Sequence, residues 1–479
     1  MTKMQSLFSL TRDLRTRLFI SVLIVYVYFI NGFKSINEGS HLALTMAIVE
    51  ERSFRINKYM FWTGWADYSE YPPGSRNYYS DKAPGLSFLG IPFYLLGKFV
   101  AYSIFGKYEF VFIRGTLASF MVLCSSILTA LSVVVIFELC KLFEISEKTS
   151  LLTALSYAFG TIAFVYGVTF FAHGTSAFLL VSAAYLTVHY FKNERKDNTK
   201  VFLAGLALGY SVCVEYQNIL ALPPFLLFYL YKREFKNLIL FLFPYLACLG
   251  TLAWYHNTIF GSPFATPYMY QGFSVEVQSD QAFSYPLQLA LRGLLFGTSH
   301  GKFYLSPYLL FAIYGFVLFF RRYPNEAIWF SSTFLLMLLL FSIHIGWSGG
   351  GAYGPRYLLS VIPFLVIPVG ILLDTPSIAK NRWFQIIFFS TLAYSMFAIA
   401  TGAVTNPTPP MWPQNPFLEY NLPLLIEGNL NSLFFKYFSP YTVILVPLLL
   451  LIINLRQFHI LKLRNRLLDT INAFRKALP

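Results

Sequence analysis

Long apolar runs alternate with short polar turns along almost the whole chain. Runs approaching the length needed to cross a bilayer, about 20 residues, fall at roughly 18–33, 111–140, 150–171, 174–191, 201–215, 217–231, 237–256, 304–320, 327–346, 357–373, 383–403 and 439–455. A backbone in hydrocarbon must satisfy its own hydrogen bonds. The pattern therefore predicts an all-α integral membrane protein with about 12 transmembrane helices. One polar stretch breaks the rhythm. Asn37 to Gly85 separates the first span from the next apolar segment and holds six of the chain's 22 carboxylates: Glu38, Glu50, Glu51, Asp67, Glu70 and Asp81. A connector of that length is usually functional or disordered, and this one is too aromatic to be disordered.

The charges of the turns set an orientation. Lys141 and Lys148, the group Lys192, Arg195, Lys196 and Lys200, then Lys232, Arg233 and Lys236, Arg321 and Arg322, and Lys380 and Arg382 lie between runs. Arg12, Arg15 and Arg17 precede the first run, and Arg456 to Lys476 form a basic amphipathic tail. The positive-inside rule places all of these in the cytoplasm with both termini. The stretch 35–110, the middle loop 257–303 and the Pro-rich loop 405–438 are then external. This alternation gives one polytopic domain over residues 1–456 and a cytoplasmic tail over 457–479. It leaves no crossing for the apolar stretch 86–105, which is expected to lie along the external interface or re-enter it, with Lys98 and Lys107 snorkelling. The NPTPPMWPQNP segment reads as a semi-rigid cover.

Composition agrees with a membrane protein, at 56% hydrophobic and 12% charged residues against about a quarter charged in soluble domains. The formal charge of +14 follows from the cytoplasmic turns, and no basic face free of membrane-length sequence exists for nucleic acid. Cys124, Cys140, Cys213 and Cys248 all fall inside apolar runs, which excludes loop staples.

Polar chemistry collects on the external side. His41, His173, His256, His300 and His344 lie at or near that face with Glu38, Asp67, Asp81, Glu215, Lys82, Arg292, Lys302 and Arg356. Glu38 precedes a helical pattern and reads either as a helix-terminal cap or as a functional carboxylate. Asp67 and Glu70 sit in a Tyr, Gly and Pro-rich segment with the composition of a solvated loop. Asp81 and Lys82 stand before Ala83-Pro84-Gly85, a turn that fixes where the lysine points, at a level suited to a phosphate. Gly346 to Tyr357 forms a Gly-rich turn ending in Arg356, either a phosphate cradle or a tight connection. His173 reads more readily as an interfacial hydrogen-bonding residue than as a base. Glu215 in an apolar context is expected to face the interior of the bundle.

These segments carry a likeness. NEGSHLALTMAIVEERSF, YYSDKAPGLSFLGIPFYLLG, FFAHGTSAFLL and WSGGGAYGPRYLLSVIPFL resemble the polytopic glycosyltransferases of the GT-C class, in particular relatives of protein O-mannosyltransferases and of the lipid A aminoarabinose transferase. The resemblance implies a polyprenyl-phosphate-linked sugar donor, a lipid, glycan or protein acceptor, and an active site at the external, periplasmic or lumenal face of the cell membrane. The family's first loop carries an Asp-Glu pair, here Asn37-Glu38, and an acidic-Lys-Pro-Pro motif, here Asp81-Lys82-Ala83-Pro84. By this resemblance Glu38, Asp81 and Asp67 are the catalytic candidates, Lys82 and Arg356 the ligands of the donor phosphate, and His41, Tyr78, Tyr79, His173, Glu215, Trp347 and Tyr353 substrate contacts. A divalent metal ion at the acidic loop is compatible with this chemistry, although no residue spacing demands one. The competing reading is a flippase or polymerase of lipid-linked oligosaccharides, which would need polar residues continuing toward the cytoplasmic side. A secondary transporter would show matched halves, and no internal repeat is visible.

Overall fold

The computed structural model of the protein describes residues 13–30, 32–106, 110–271, 282–411 and 413–430. The expected span 439–455, the tail 457–479, Lys107 and the end of the Pro-rich loop lie outside these residues. Eleven expected runs fall largely on helix. In chain order the helices are α1 Leu14–Tyr28, α2 Ile36–Glu51, α3 Gly85–Phe105, α4 Phe110–Leu142, α5 Glu147–Gly160, α6 Ala163–Gly167, α7 Ala172–Lys192, α8 Asn198–Val214, α9 Leu222–Tyr231 and α10 Phe235–Phe260. They continue with α11 Leu287–Phe296, α12 Lys302–Leu305, α13 Phe311–Arg322, α14 Pro324–Ile343, α15 Pro363–Asp374, α16 Pro376–Ala379, α17 Arg382–Val404 and α18 Leu422–Ile426. Strands β1 Ser69–Glu70 and β2 Tyr78–Tyr79 pair antiparallel between α2 and α3.

Among the described residues six helices are long and apolar enough to cross a membrane: α3, Ile113–Leu142 within α4, α7, α10, α14 and α17. The runs at 217–231, 304–320 and 357–373 are interrupted rather than continuous. Each contains a 3-10 turn, at Tyr216–Ala221, Pro307–Leu310 and Arg356–Val361, immediately before its main α-helix, and the run at 304–320 starts on the short helix α12. α9 and α15 have proline in the first turn, where its missing N–H is least costly. α3, expected beside the membrane, has the length and apolarity of a crossing helix and packs along α4 and α2. Its Lys98, expected to snorkel, is an ion-pair partner: Nζ lies 2.6 Å from Glu50 Oε1, which also accepts from Tyr94 Oη at 2.8 Å.

One contiguous apolar core runs through α1, α4 to α15 and α17. At one end of it the basic turns meet. Arg15 pairs with Glu138 at 3.0 Å, Arg322 with Glu144 at 2.6 Å, and the Lys192 ammonium sits 3.8 Å from the centre of the Tyr323 ring. Lys192 ends α7, so Ala172 at the start of that helix belongs to the opposite end, where the acidic loop attaches.

Candidate functional site

The acidic loop is organised by a hairpin that periodicity does not reveal. Ser69 pairs with Tyr79 and Glu70 with Tyr78. Continuing that register two residues outward sets Asp67 opposite Asp81. Glu70 accepts the Arg76 N–H at 2.7 Å and closes the turn. Ser69 donates to the Pro267 carbonyl at 2.7 Å and bridges Gln271, which fastens the hairpin to the chain beyond α10. Tyr78 packs edge-on against Tyr68 and Tyr79 against Phe260. These two tyrosines hold the hairpin to its surroundings.

Lys82 lies between the two aspartates. Its Nζ is 2.7 Å from Asp81 Oδ2 and 3.0 Å from Asp67 Oδ2. Asp81 is fully committed: Ser40 of α2 donates to Oδ1 at 2.9 Å, and Gln271 donates to Oδ2 at 3.1 Å. Asp67 is the accessible member, its side chain 24% exposed against 3% for Asp81. Burial, with the Asp81 charge beside it, holds the Asp67 carboxyl above its ordinary range in spite of Lys82 and Arg356. Burial acts to lower Lys82, and the two carboxylates outweigh it, so the ammonium is held above its usual value. Asp67 is thus no part of a freely solvated loop.

Arg356 opens the 3-10 turn before α15. Its guanidinium stands 5.0 Å from the centre of the Tyr357 ring and 5.5 Å from that of Phe171. Nη2 donates to the Tyr357 hydroxyl at 3.3 Å, and Nε is buried without a hydrogen-bond partner. Gly349 makes room for it: a Cβ there would come within 2.7 Å of Nε. Beneath, His173 at the start of α7 contacts the Glu215 carboxylate at the end of α8, both of them buried. His173 packs edge-on against Tyr357 at 5.6 Å. Glu215 does face the bundle interior, as expected.

Several expected site residues serve other ends. The carboxylate of Glu38 receives the N–H groups of Lys34 at 2.7 Å, Ser35 at 2.9 Å and Phe170 at 2.8 Å, and closes a capping box with Ser35. Of its two readings, the cap is the one the geometry fills. Burial pushes this carboxyl up to about 7 against the pull of the three N–H groups. His41 is buried against Ser87 and Phe170; burial, then the charges of Lys82 and His173, push it down to about 3, so it is neutral at ordinary pH. Tyr353 is a core residue whose hydroxyl donates to the Ala398 carbonyl at 2.7 Å. Trp347 packs over Gly293 and lies 6.0 Å from His300. Pro410, Met411, Pro413, Gln414 and Pro416 of the Pro-rich segment and Ser348, Gly350 and Ala352 of the Gly-rich turn line a half-open cavity of about 260 Å³ beside His300.

Ser40 and Gln271 were not visible as site residues in the sequence, since nothing in their spacing links them to Asp81, whereas Tyr357 directly follows Arg356 and its contact with the guanidinium is local. Among the described residues no group of three or more His, Cys, Asp or Glu is placed to hold a metal. The Asp67 and Asp81 carboxylates are already bridged by the Lys82 ammonium, so the residues present do not fit a divalent ion there.

Fold and composition define a mostly helical, multi-pass membrane protein. Residues 108–257, about a third of the chain, match the family described as dolichyl-phosphate-mannose-protein mannosyltransferase, and this meets the resemblance expected from the sequence. The match includes His173 and Glu215 and leaves the acidic loop and Arg356 outside it. No curated protein matches the sequence. Among solved structures, ArnT from Cupriavidus metallidurans in the apo state is 14% identical with a TM-score of 0.47, over 91% of this chain and 74% of that one. The same protein bound to undecaprenyl phosphate is 13% identical with a TM-score of 0.48, over 91% and 75%. The Archaeoglobus fulgidus oligosaccharyltransferase tethered to an acceptor peptide is 15% identical with a TM-score of 0.48, over 82% of this chain and 54% of that one.

Proposed function

We propose that the protein transfers a sugar from a polyprenyl-phosphate-linked donor to a lipid, glycan or protein acceptor at the external membrane face, with inversion. The observation that carries this reading is the Asp67–Lys82–Asp81 cluster set by the hairpin register, with the half-buried Arg356 acting on the same carboxylate. A phosphate is already a competent leaving group, so one base and a cation suffice. Asp67 takes the proton of the acceptor hydroxyl. The hydroxyl oxygen attacks the anomeric carbon from the face opposite the phosphate, the carbon–oxygen bond to the phosphate breaks, and its electron pair leaves on the lipid phosphate.

Lys82 was expected as a phosphate ligand. Its ammonium is instead taken up by two carboxylates, which suits it to holding them in place. Arg356, with an unpartnered Nε, is the cation available to the departing phosphate. His173 and Glu215 support the floor on which Arg356 and Tyr357 rest.

The test is transfer in proteoliposomes from radiolabelled polyprenyl-phosphate sugars to an envelope glycan and lipid extract, with Asp67→Asn and Arg356→Ala alongside. Product from the parent protein and none from either variant supports the assignment. Movement of labelled lipid between leaflets without transfer would establish the translocator reading instead.

A further inference from the structure

The chain beyond α10 returns to the hairpin through a short 3-10 turn, Pro267–Tyr270. The turn is fastened at both ends. The Pro267 carbonyl accepts from Ser69 Oγ at 2.7 Å, and Gln271 bridges to the same serine and donates to Asp81 at 3.1 Å. Its two tyrosines part company. Tyr270 is taken into the packing, stacked on Phe260 at 5.0 Å and edge-on to Tyr71 at 4.8 Å. Tyr268 is left 52% exposed, and the reaction proposed above gives it no part.

Tyr268 is nevertheless held in one direction. Tyr216 stands at right angles to it, with ring centres 5.7 Å apart and planes at 85°, a favoured geometry for an aromatic pair. The Tyr216 hydroxyl in turn shares a hydrogen bond of 3.0 Å with Nε2 of the buried His256. The Tyr268 ring therefore has a supported side and an open flank.

Its hydroxyl faces inward. The charges that reach it are those of Lys82, Tyr357, Asp81 and Glu215, and burial holds its pKa above the ordinary tyrosine value against the pull of Lys82. The phenol is thus a neutral donor, and among the described residues it makes no hydrogen bond. A tyrosine of the interfacial belt sits instead at the headgroup level, with its polar end wet.

The groups beside the hydroxyl locate it within the proposed reaction. Lys82 lies 3.0 Å from Asp67, the base, and the Tyr357 hydroxyl accepts from Arg356, the cation for the phosphate, at 3.3 Å. A phenol within reach of both Lys82 and Tyr357 stands over the space between base and phosphate. That space belongs to the sugar, because the anomeric carbon must lie between the attacking oxygen and the departing phosphate. A sugar ring presents a face of C–H bonds and a rim of hydroxyls, and a flat ring with a polar tip matches both. We infer that Tyr268 is the contact for the donor's sugar, its open flank carrying the C–H face of the ring. The inference rests on the reaction proposed above and adds to it the residue that recognises the transferred group.

Native mass spectrometry of the full chain in detergent reads lipid binding without turnover. The probes are undecaprenyl phosphate and its mannosyl, glucosyl, galactosyl and arabinosyl esters at matched concentrations. The parent protein should bind at least one ester more tightly than the bare lipid. Tyr268→Leu keeps apolar bulk and removes the flat face; it should cut that preference about tenfold, the scale of a lost aromatic contact. Tyr268→Phe keeps the ring and should retain most of the preference. Both variants should bind bare undecaprenyl phosphate as the parent does. Equal weakening of bare and glycosylated lipid would make Tyr268 a lipid-binding or structural residue and overturn the inference. So would a parent protein indifferent to the sugar, or a monodisperse Tyr268→Leu protein with the parent's preference. A parent that prefers an ester, loses the preference in Tyr268→Leu and yet transfers nothing in proteoliposomes would uphold the sugar contact and overturn the reaction.

Discussion

At the proposed site, Arg356 and Asp67 have capacity to spare. The guanidinium is half-buried, with one long hydrogen bond to Tyr357 and a buried, unpartnered Nε, so a phosphate oxygen arriving there takes up a spare donor. Removing such a donor to developing charge typically costs about 10²–10³ in rate. Arg356→Ala should lower kcat by that order in the proteoliposome assay, and Arg356→Lys should recover little, because an ammonium lacks the planar fork. Asp67 makes a prediction in pH. Its carboxyl is held above the ordinary aspartate range by burial and by Asp81, and a base works only when deprotonated. The rate should therefore fall on acidification at a pH above the usual aspartate value of about 3.9, and Asp67→Asn should abolish that limb with the activity. An acid limb at or below the ordinary value in the kcat/KM profile would exclude Asp67 as the base.

At the scale of elements, α2 joins the site to the membrane domain, and its first turn bears the strain. Glu38 caps the helix and also captures the Phe170 N–H, so Glu38→Gln must turn an amide donor toward one of three N–H groups. A buried donor left without an acceptor costs about 1–3 kcal/mol, and thermal unfolding in detergent should show the loss with the helical spectrum retained. The raised carboxyl also gives a sign. Folded Glu38 holds its proton up to about 7, above the unfolded value of about 4.3. Its contribution is complete below that lower value and fades as pH rises through about 7. The parent's Tm should thus gain from Glu38 on acidification across this window, and Glu38→Gln should not show that component. Gly39, next in the helix, faces the Trp62 carbonyl so closely that a Cβ would fall 1.8 Å from the oxygen. Gly39→Ala should cost about 1–3 kcal/mol, as overpacking does, and the same Tm measurement checks it. Much of this was legible beforehand. The helical spacing of Leu42, Leu44, Ala47 and Ile48 announced α2, and the position of Glu38 before it suggested a cap. The hairpin was not legible, because strands of two residues carry no period to detect; only the turn-forming Pro72, Pro73, Gly74 and Ser75 between tyrosines hinted at it. Arg356 was visible as a cation after glycines with Tyr357 beside it, yet its partner Phe171 arrives only through the packing of α7 against the turn before α15.

Across the whole molecule, charge sorts the bundle into two ends. Arg15, Lys141, Lys192 and Arg322 gather with Glu138, Glu144 and Asp374 at one end, and the hairpin occupies the other. The turn-charge pattern read from the sequence anticipated that separation, since basic turns alternate with acidic or neutral ones. The proposed orientation puts the hairpin outside. All four native cysteines are buried, so Ser75→Cys at the hairpin turn should react with an impermeant maleimide on intact cells, whereas Glu147→Cys should react only after permeabilisation. The opposite pattern would reverse the orientation. One local feature has reach beyond its size. Side chains in a strand alternate faces residue by residue, and Asp67 meets Asp81 because the intervening turn has one particular length. A single inserted residue absorbed by the ladder would present Ala66 or Tyr68 to Asp81, with every charged group still in the chain. The chemistry of this loop is in that sense indexed by a whole number, and the tip of a small exposed hairpin, remote from any reacting atom, becomes the place where one codon gained or lost would silence it.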